Sequence, residues 1–141
     1  LVGDGELRDK ILIKIDQLQL NGRVHLTGNK NDPWKIYHSL DLFIMSSIYE
    51  GLGRSITEAL SCGVPVVCTS VEGVPEIVRD NETGILVPPK DPSALATGII
   101  KSLNDIDNAR KMAEEGRKFV NKNFDVNKMV DDIDYLYDTL L

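Results

Sequence analysis

Glu50 and Glu58 are separated by the seven residues Gly51-Leu52-Gly53-Arg54-Ser55-Ile56-Thr57. Glycines let a backbone approach a ligand closely, and the residues after Gly53 read as a helix start, whose free N–H groups and partial positive charge suit phosphate oxygens. Glu58 falls about one helical turn inside, where its carboxylate can accept hydrogen bonds from sugar hydroxyls. The two carboxylates could therefore bracket a diphosphate that joins two sugar rings. A structural reading stands beside this one. Ser55-Ile56-Thr57-Glu58 is also a capping box, the two glycines suit a tight turn, and Glu50 suits a solvated loop. Arg54 opposes the dipole at a helix start, so a nearby anion would offset it; the alternative is a free surface side chain.

The elements around this stretch alternate. Leu7, Ile11, Ile15 and Leu18 recur at helical spacing up to Asn21-Gly22, and Arg23 to Thr27 reads as a short strand. Asp32-Pro33 caps a brief helix through Ser39, and Asp41 to Met45 is an apolar run suited to a strand buried on both faces. A helix over 55–62 is stopped by Gly63 and Pro65, and Pro65 to Thr69 is another buried strand. Glu76-Ile77-Val78 makes a helical turn and Gly84 to Val87 a last strand. Asp91-Pro92 opens a helix with Leu95, Ile99 and Leu103 four apart. Asp105 to Asn123 forms the next helix, and Asp125 caps a final one with a stripe at Met129, Val130, Ile133, Tyr137 and Leu140. Part of that stripe is expected to be exposed or covered by a neighbour.

Strands that alternate with helices imply parallel pairing, because each return crossover needs a helix over a sheet face. The expected fold is a single α/β domain, a Rossmann-like three-layer sandwich with a parallel sheet. Ligand crevices of such sheets lie outside the carboxyl ends of the strands. Three loops qualify, at 28–31, 46–54 and 70–73. The chain opens on Leu1-Val2-Gly3-Asp4-Gly5, which reads as the end of a buried strand and a tight turn, as though it began inside an element of something longer.

Composition narrows the classes. Within 141 residues, 16 Lys and Arg face 22 Asp and Glu, a net charge of -6, which disfavours nucleic acid and anionic lipid surfaces but leaves room for a local anion site. Cys62 and Cys68 are too few for a disulfide scaffold or a four-ligand zinc site and read as buried thiols of a reducing, cytoplasmic compartment. No run reaches membrane-helix length and no signal peptide is evident.

The stretch from Glu50 to Val67, Glu-Gly-Leu-Gly-Arg-Ser-Ile-Thr-Glu-Ala-Leu-Ser-Cys-Gly-Val-Pro-Val-Val, resembles the E-x7-E signature of retaining glycosyltransferases of family 4, also called group 1. Flanking matches at Val2-Gly3-Asp4-Gly5, Val24 to Gly28, Ser39 to Ile44, Gly73 to Val78 and Thr83 to Pro89 extend the resemblance over nearly the whole chain. It implies the C-terminal half of a GT-B fold, the part that holds a nucleotide diphosphate sugar for retaining transfer of a hexose-type sugar. The acceptor would be held by an N-terminal domain of a longer chain. Residues 1–141 would then be a donor domain slightly truncated at its N-terminal side.

By the same resemblance, Glu50 is the catalytic-site carboxylate and binds hydroxyls of the transferred sugar. Gly51, Leu52 and Gly53 present N–H groups near the sugar and diphosphate, Arg54 and Ser55 complete the loop, and Glu58 binds the ribose. Thr27 and Gly28 lie beside the base. No cofactor and no metal is implied, nor nucleic acid or membrane insertion, although a missing domain could bring the protein to the cytoplasmic membrane face. An Arg and a Lys that neutralise the diphosphate in relatives would lie upstream of Leu1, so the chain alone is expected to be inactive. Glu72 stands where many relatives have Gly, leaving Gly73 alone of a pair.

Other signals are weaker. Asp105-Ile106-Asp107 and Asp132-Ile133-Asp134 match a metal-binding D-x-D but sit at a helix start and within a helix, where acidic residues cap or face solvent. Trp34 and Tyr37, three apart on a helix, read as packing rather than a base-stacking pair. The alternatives within this reading are a nucleotide-sugar 2-epimerase of the same two-domain plan and a non-catalytic nucleotide-sugar binding module.

Overall fold

A computed structural model describes residues 1–140 and divides into two compact units, residues 1–33 and the remainder. In the first unit, helix α1 (Arg8–Gln17) buries Ile15, while Leu7 and Leu18 of the expected stripe are exposed because the helix begins after one and stops before the other. Leu20 takes over that end, its N–H donating to the Ile15 carbonyl at 2.9 Å. The strand expected at Arg23 to Thr27 does not form, and Leu1 and Val2 are exposed rather than buried. These segments share one antiparallel bridge, Gly3 with Gly28, and a bond from the Thr27 N–H to the Leu1 carbonyl. Gly3 and Gly28 both have left-handed φ, +121° and +67°, which ends the extended run before a ladder can grow.

The second unit carries the sheet. After α2 (Pro33–Tyr37), the strands β1 (Phe43–Met45), β2 (Val66–Thr69) and β3 (Ile85–Val87) lie in the order β1-β2-β3, all parallel, with Phe43 opposite Val66 and Val67 opposite Ile85. Parallel neighbours require crossovers. Helix α3 (Arg54–Ser61) supplies the first and α4 (Val74–Ile77) lies on the second. Gly63, at φ +72°, ends α3 in the expected place.

The residues of β2 are all buried and alternate between its two faces, and this builds two cores. Val66 and Cys68 pack with Ile56 and Leu60 of α3, Ile77 of α4 and Val120. Val67 packs on the opposite face with Ile85, Val87, and Leu95 and Ile99 of α5 (Pro92–Asn104). Helix α6 (Ile106–Asn123) serves both, with Ala109 and Met112 in one core and Val120 in the other. Asp91 and Asp105 accept from the N–H groups of Ala94 and Asn108, so both act as helix caps.

Two expectations are corrected here. Ile44 is 42% exposed, so β1 is not buried on both faces; it is the edge of the sheet, and α5 packs on β2 and β3 instead. Leu103 is exposed as well, and α5 meets the sheet through Gly98 with Leu95 and Ile99 packed beside it. A Cβ at Gly98 would stand 3.1 Å from methyls of Val67 and Val87, so a small residue is needed for this close seating. Helix α7 (Val126–Leu140) buries none of its residues, and its apolar stripe from Met129 to Leu140 is exposed. Among the described residues, no helix is long and apolar enough to cross a membrane.

Burial pushes the Cys68 thiol up to about 12, against a hydrogen bond with Met45 that pulls the other way. Since the unfolded chain releases this proton near 9 and the folded chain does not, native stability should fall as pH rises from about 9 towards 12. Urea denaturation across that range checks the sign, and replacing Cys68 by Ala should flatten the decline. At pH 8, native Cys68 should resist thiol reagents that label it readily after unfolding.

Candidate functional site

All three strands are parallel, so the loops after β1 and β2 emerge on one side. Thr69, at the end of β2, fixes the loop after β1 by donating its hydroxyl to the Ser47 carbonyl at 2.6 Å. Gly73, in the loop after β2, lies so close that an added Cβ would collide with the Gly51 carbonyl oxygen. Glu72 reaches the same loop, where its carboxylate accepts the Glu50 N–H at 3.0 Å. Glu72 does this at φ +38°, a left-handed conformation that glycine adopts more readily.

Glu50 is half-buried, and Ser47 Oγ donates to its Oε2 at 3.3 Å. Gly51 and Leu52 are exposed at the tip. Gly53 is buried in a left-handed conformation (φ +65°) and forms the N-cap of α3, with no side-chain cap hydrogen bond. The expected capping box is therefore not formed. Ser55 Oγ turns to the Met45 sulfur at 3.8 Å, and Glu58 is engaged elsewhere.

The Glu58 carboxylate has two neighbours. Tyr37 donates its hydroxyl to Oε2 at 2.9 Å, and the Arg54 guanidinium lies 3.6 Å from Oε1. Arg54 is 85% exposed and Glu58 23% exposed, so this pair is screened and weak, yet it identifies an anion that offsets Arg54 at the helix start. Burial, then the bond and charge of Glu58, push the Tyr37 phenol well above its ordinary value, which keeps it a donor. The Cys62 thiol is likewise raised, first by burial and then by Glu58. An indentation beside Glu58 is lined by Trp34, Thr57, Ser61, Asn121 and Phe124.

The structure thus gathers Glu50, Gly51, Leu52, Gly53, Arg54, Ser55 and Glu58 in the second unit. Thr27 and Gly28 belong to the first, where the Thr27 hydroxyl donates to the Leu1 carbonyl at 3.3 Å. Sequence reasoning missed the engagement of Tyr37, which it took as packing, and that of Ser47 and Glu72. No local spacing links Tyr37 to Glu58, 21 residues away. Of the acidic pairs, Asp105 caps α6 and Asp132 pairs with Lys128 at 2.6 Å. Among the described residues, no group of three or more His, Cys, Asp or Glu could hold a metal ion.

A family model described as Glycosyl transferases group 1 matches residues 1–119. The chain belongs to this family. The group 1 domain is 32% identical over 137 residues to N-acetyl-alpha-D-glucosaminyl L-malate synthase of Bacillus anthracis, covering 97% of this chain and 36% of that protein. It is 36% identical over 118 residues to the lipopolysaccharide core biosynthesis glycosyltransferase LpsE of Rhizobium meliloti, covering 84% and 35%. The chain thus spans about a third of the length of these curated relatives.

Among solved structures, Anabaena HepE in complex with UDP superposes with a TM-score of 0.93 at 28% identity, covering 99% of this chain and 40% of that one. Sucrose-phosphate synthase from Thermosynechococcus elongatus gives 0.90 at 31% identity, covering 99% and 37%. These likenesses bear out the expected α/β fold, a Rossmann-like half of the GT-B arrangement.

The group 1 domain makes a steric prediction at its two loops. Gly73→Ala should lower stability by about 1–3 kcal/mol through overpacking against the Gly51 carbonyl. Gly51→Ala, with nothing within 4 Å of the added Cβ, should stay within about 0.5 kcal/mol. Urea midpoints of the two variants compare them directly.

Proposed function

We propose that this chain is the donor-binding domain of a retaining glycosyltransferase of family 4, and that it holds a nucleotide diphosphate sugar from which a hexose-type sugar passes to an acceptor. The observation that carries this reading is the meeting of Glu50, Gly51 to Gly53 and Glu58 at the carboxyl end of β1 and the uncapped start of α3. The E-x7-E spacing supports it, as do the UDP and UDP-glucose complexes of HepE.

In this reading Glu58 accepts hydrogen bonds from ribose hydroxyls. The N–H groups of the glycine loop and the start of α3 face the diphosphate. Glu50 accepts from hydroxyls of the transferred sugar. The bond between the anomeric carbon and the diphosphate oxygen breaks, the nucleoside diphosphate departs with the electron pair, and the acceptor oxygen bonds to the same face of the sugar as its proton passes to the departing diphosphate. Charge on the leaving diphosphate must be met by prepositioned donors, which in such transfers is the largest contribution to the rate. Donors of the protein suffice here, without a metal. The acceptor is held by an N-terminal domain of a longer cytoplasmic protein.

Isothermal calorimetry with UDP and GDP checks the site. One of the two should bind saturably, and Glu58→Ala should weaken it by about tenfold or more, as expected for a charged hydrogen-bond partner. No saturable binding, or binding indifferent to Glu58→Ala, refutes the assignment. The chain by itself should transfer no sugar, and appearance of a glycosylated product in its presence alone would overturn that expectation.

A further inference from the structure

Tyr37 is held more firmly than a residue on a five-residue helix needs to be. Its side chain is 7% exposed, and its ring lies between Trp34 and Phe43, with centroids 6.2 and 5.8 Å away and edge-to-face planes. Such pairs prefer this geometry, so two contacts fix the ring on both sides. The ring places the hydroxyl 2.9 Å from Glu58 Oε2. Hydrogen bonds to a charged acceptor are stronger than neutral ones and more directional than an exposed ion pair. Arg54, mostly exposed and 3.6 Å from Oε1, cannot provide the same restraint.

We infer that Tyr37 is a positioning residue for nucleotide binding, which holds Glu58 by one carboxylate oxygen so that the carboxylate presents its remaining lone pairs to the paired hydroxyls of a ribose. This inference rests on the reading of Glu58 given above. With Gly53 as the N-cap of α3, Glu58 lies at the fifth helical position and takes no part in capping, and Tyr37 engages it beside the indentation that it lines with Trp34, Thr57 and Ser61. A carboxylate fixed in this way does not have to be ordered when the ligand arrives, and prior ordering is a gain in affinity.

The expected consequence is confined to ligands that carry the hydroxyls. Tyr37→Phe keeps the ring and its two aromatic contacts and removes only the donor. In the full chain it should weaken UDP or GDP, whichever binds, about three- to tenfold. It should leave the affinity for the matching 2′,3′-dideoxynucleoside diphosphate unchanged, because that ligand no longer reports on Glu58. Glu58→Gln should produce a similar selective loss, and the double variant should lose little more than Glu58→Gln alone. A thermal melt of each variant separates a folding defect from a binding one, since a defect in packing would weaken both ligands equally.

Equal weakening of both ligands by Tyr37→Phe, or additive losses in the double variant, overturns the role of Tyr37 and leaves that of Glu58 standing. Failure of Glu58→Gln to weaken either nucleotide, or no saturable nucleotide binding at all, overturns the reading of Glu58 and the role of Tyr37 with it.

Discussion

Parallel pairing of β2 with both its neighbours is the constraint on which the rest depends. Val66 to Cys68 are buried throughout and face two different cores, so β2 admits no slip in register without moving an apolar side chain from one core to the other. With that register fixed, β1 and β2 end side by side, and the loops at 46–53 and 70–73 must share a small space. Gly73 resolves the crowding, because any side chain there would meet the Gly51 carbonyl. The position of Glu50 is thus inherited from the sheet through Thr69, Ser47 and Gly73 and owes little to the loop itself.

Electrostatics would seem to oppose an anion at this place. Glu50, Glu58 and Glu72 are all near it, and the chain carries a net charge of -6. The three carboxylates do not act alike, however. Glu72 is engaged by the Glu50 N–H and Glu58 by Tyr37 and Arg54, so much of their charge already has hydrogen-bond or ionic partners. Against them stands the start of α3, whose N–H groups receive no side-chain cap. A phosphate would gain these directed dipoles at short range, whereas the diffuse negative charge of the surface is screened within about 10 Å at moderate salt.

Much of the scaffold was legible in the sequence where a residue has one dominant role. Gly63 could hardly do anything but end a helix, Asp91 and Asp105 cap as their positions suggest, and the run ending at Thr69 was read as buried. Reading failed where the outcome depends on what lies across the fold. Ile44 is as apolar as Val67, yet it is exposed because it sits on an edge strand, and nothing local marks an edge. Leu103 fits the spacing of its helix, but α5 is seated on the sheet by the close approach at Gly98. Arg23 to Thr27 has strand composition and lacks only a partner long enough to make a ladder.

The site shows the same division more sharply. Spacing alone brought Glu50, the glycines and Glu58 to notice, and it also offered an ordinary structural role for Ser55 and Glu58 as a capping box. The fold settles that ambiguity at Gly53. As the N-cap of α3 it places Ser55 at the second helical position and Glu58 at the fifth, out of reach of a capping box, and one oxygen of Glu58 is engaged instead by Tyr37, 21 residues away. A short helix with a buried tyrosine reads as packing because packing is indeed what holds the ring. Its chemistry resides in the one atom at the end of it.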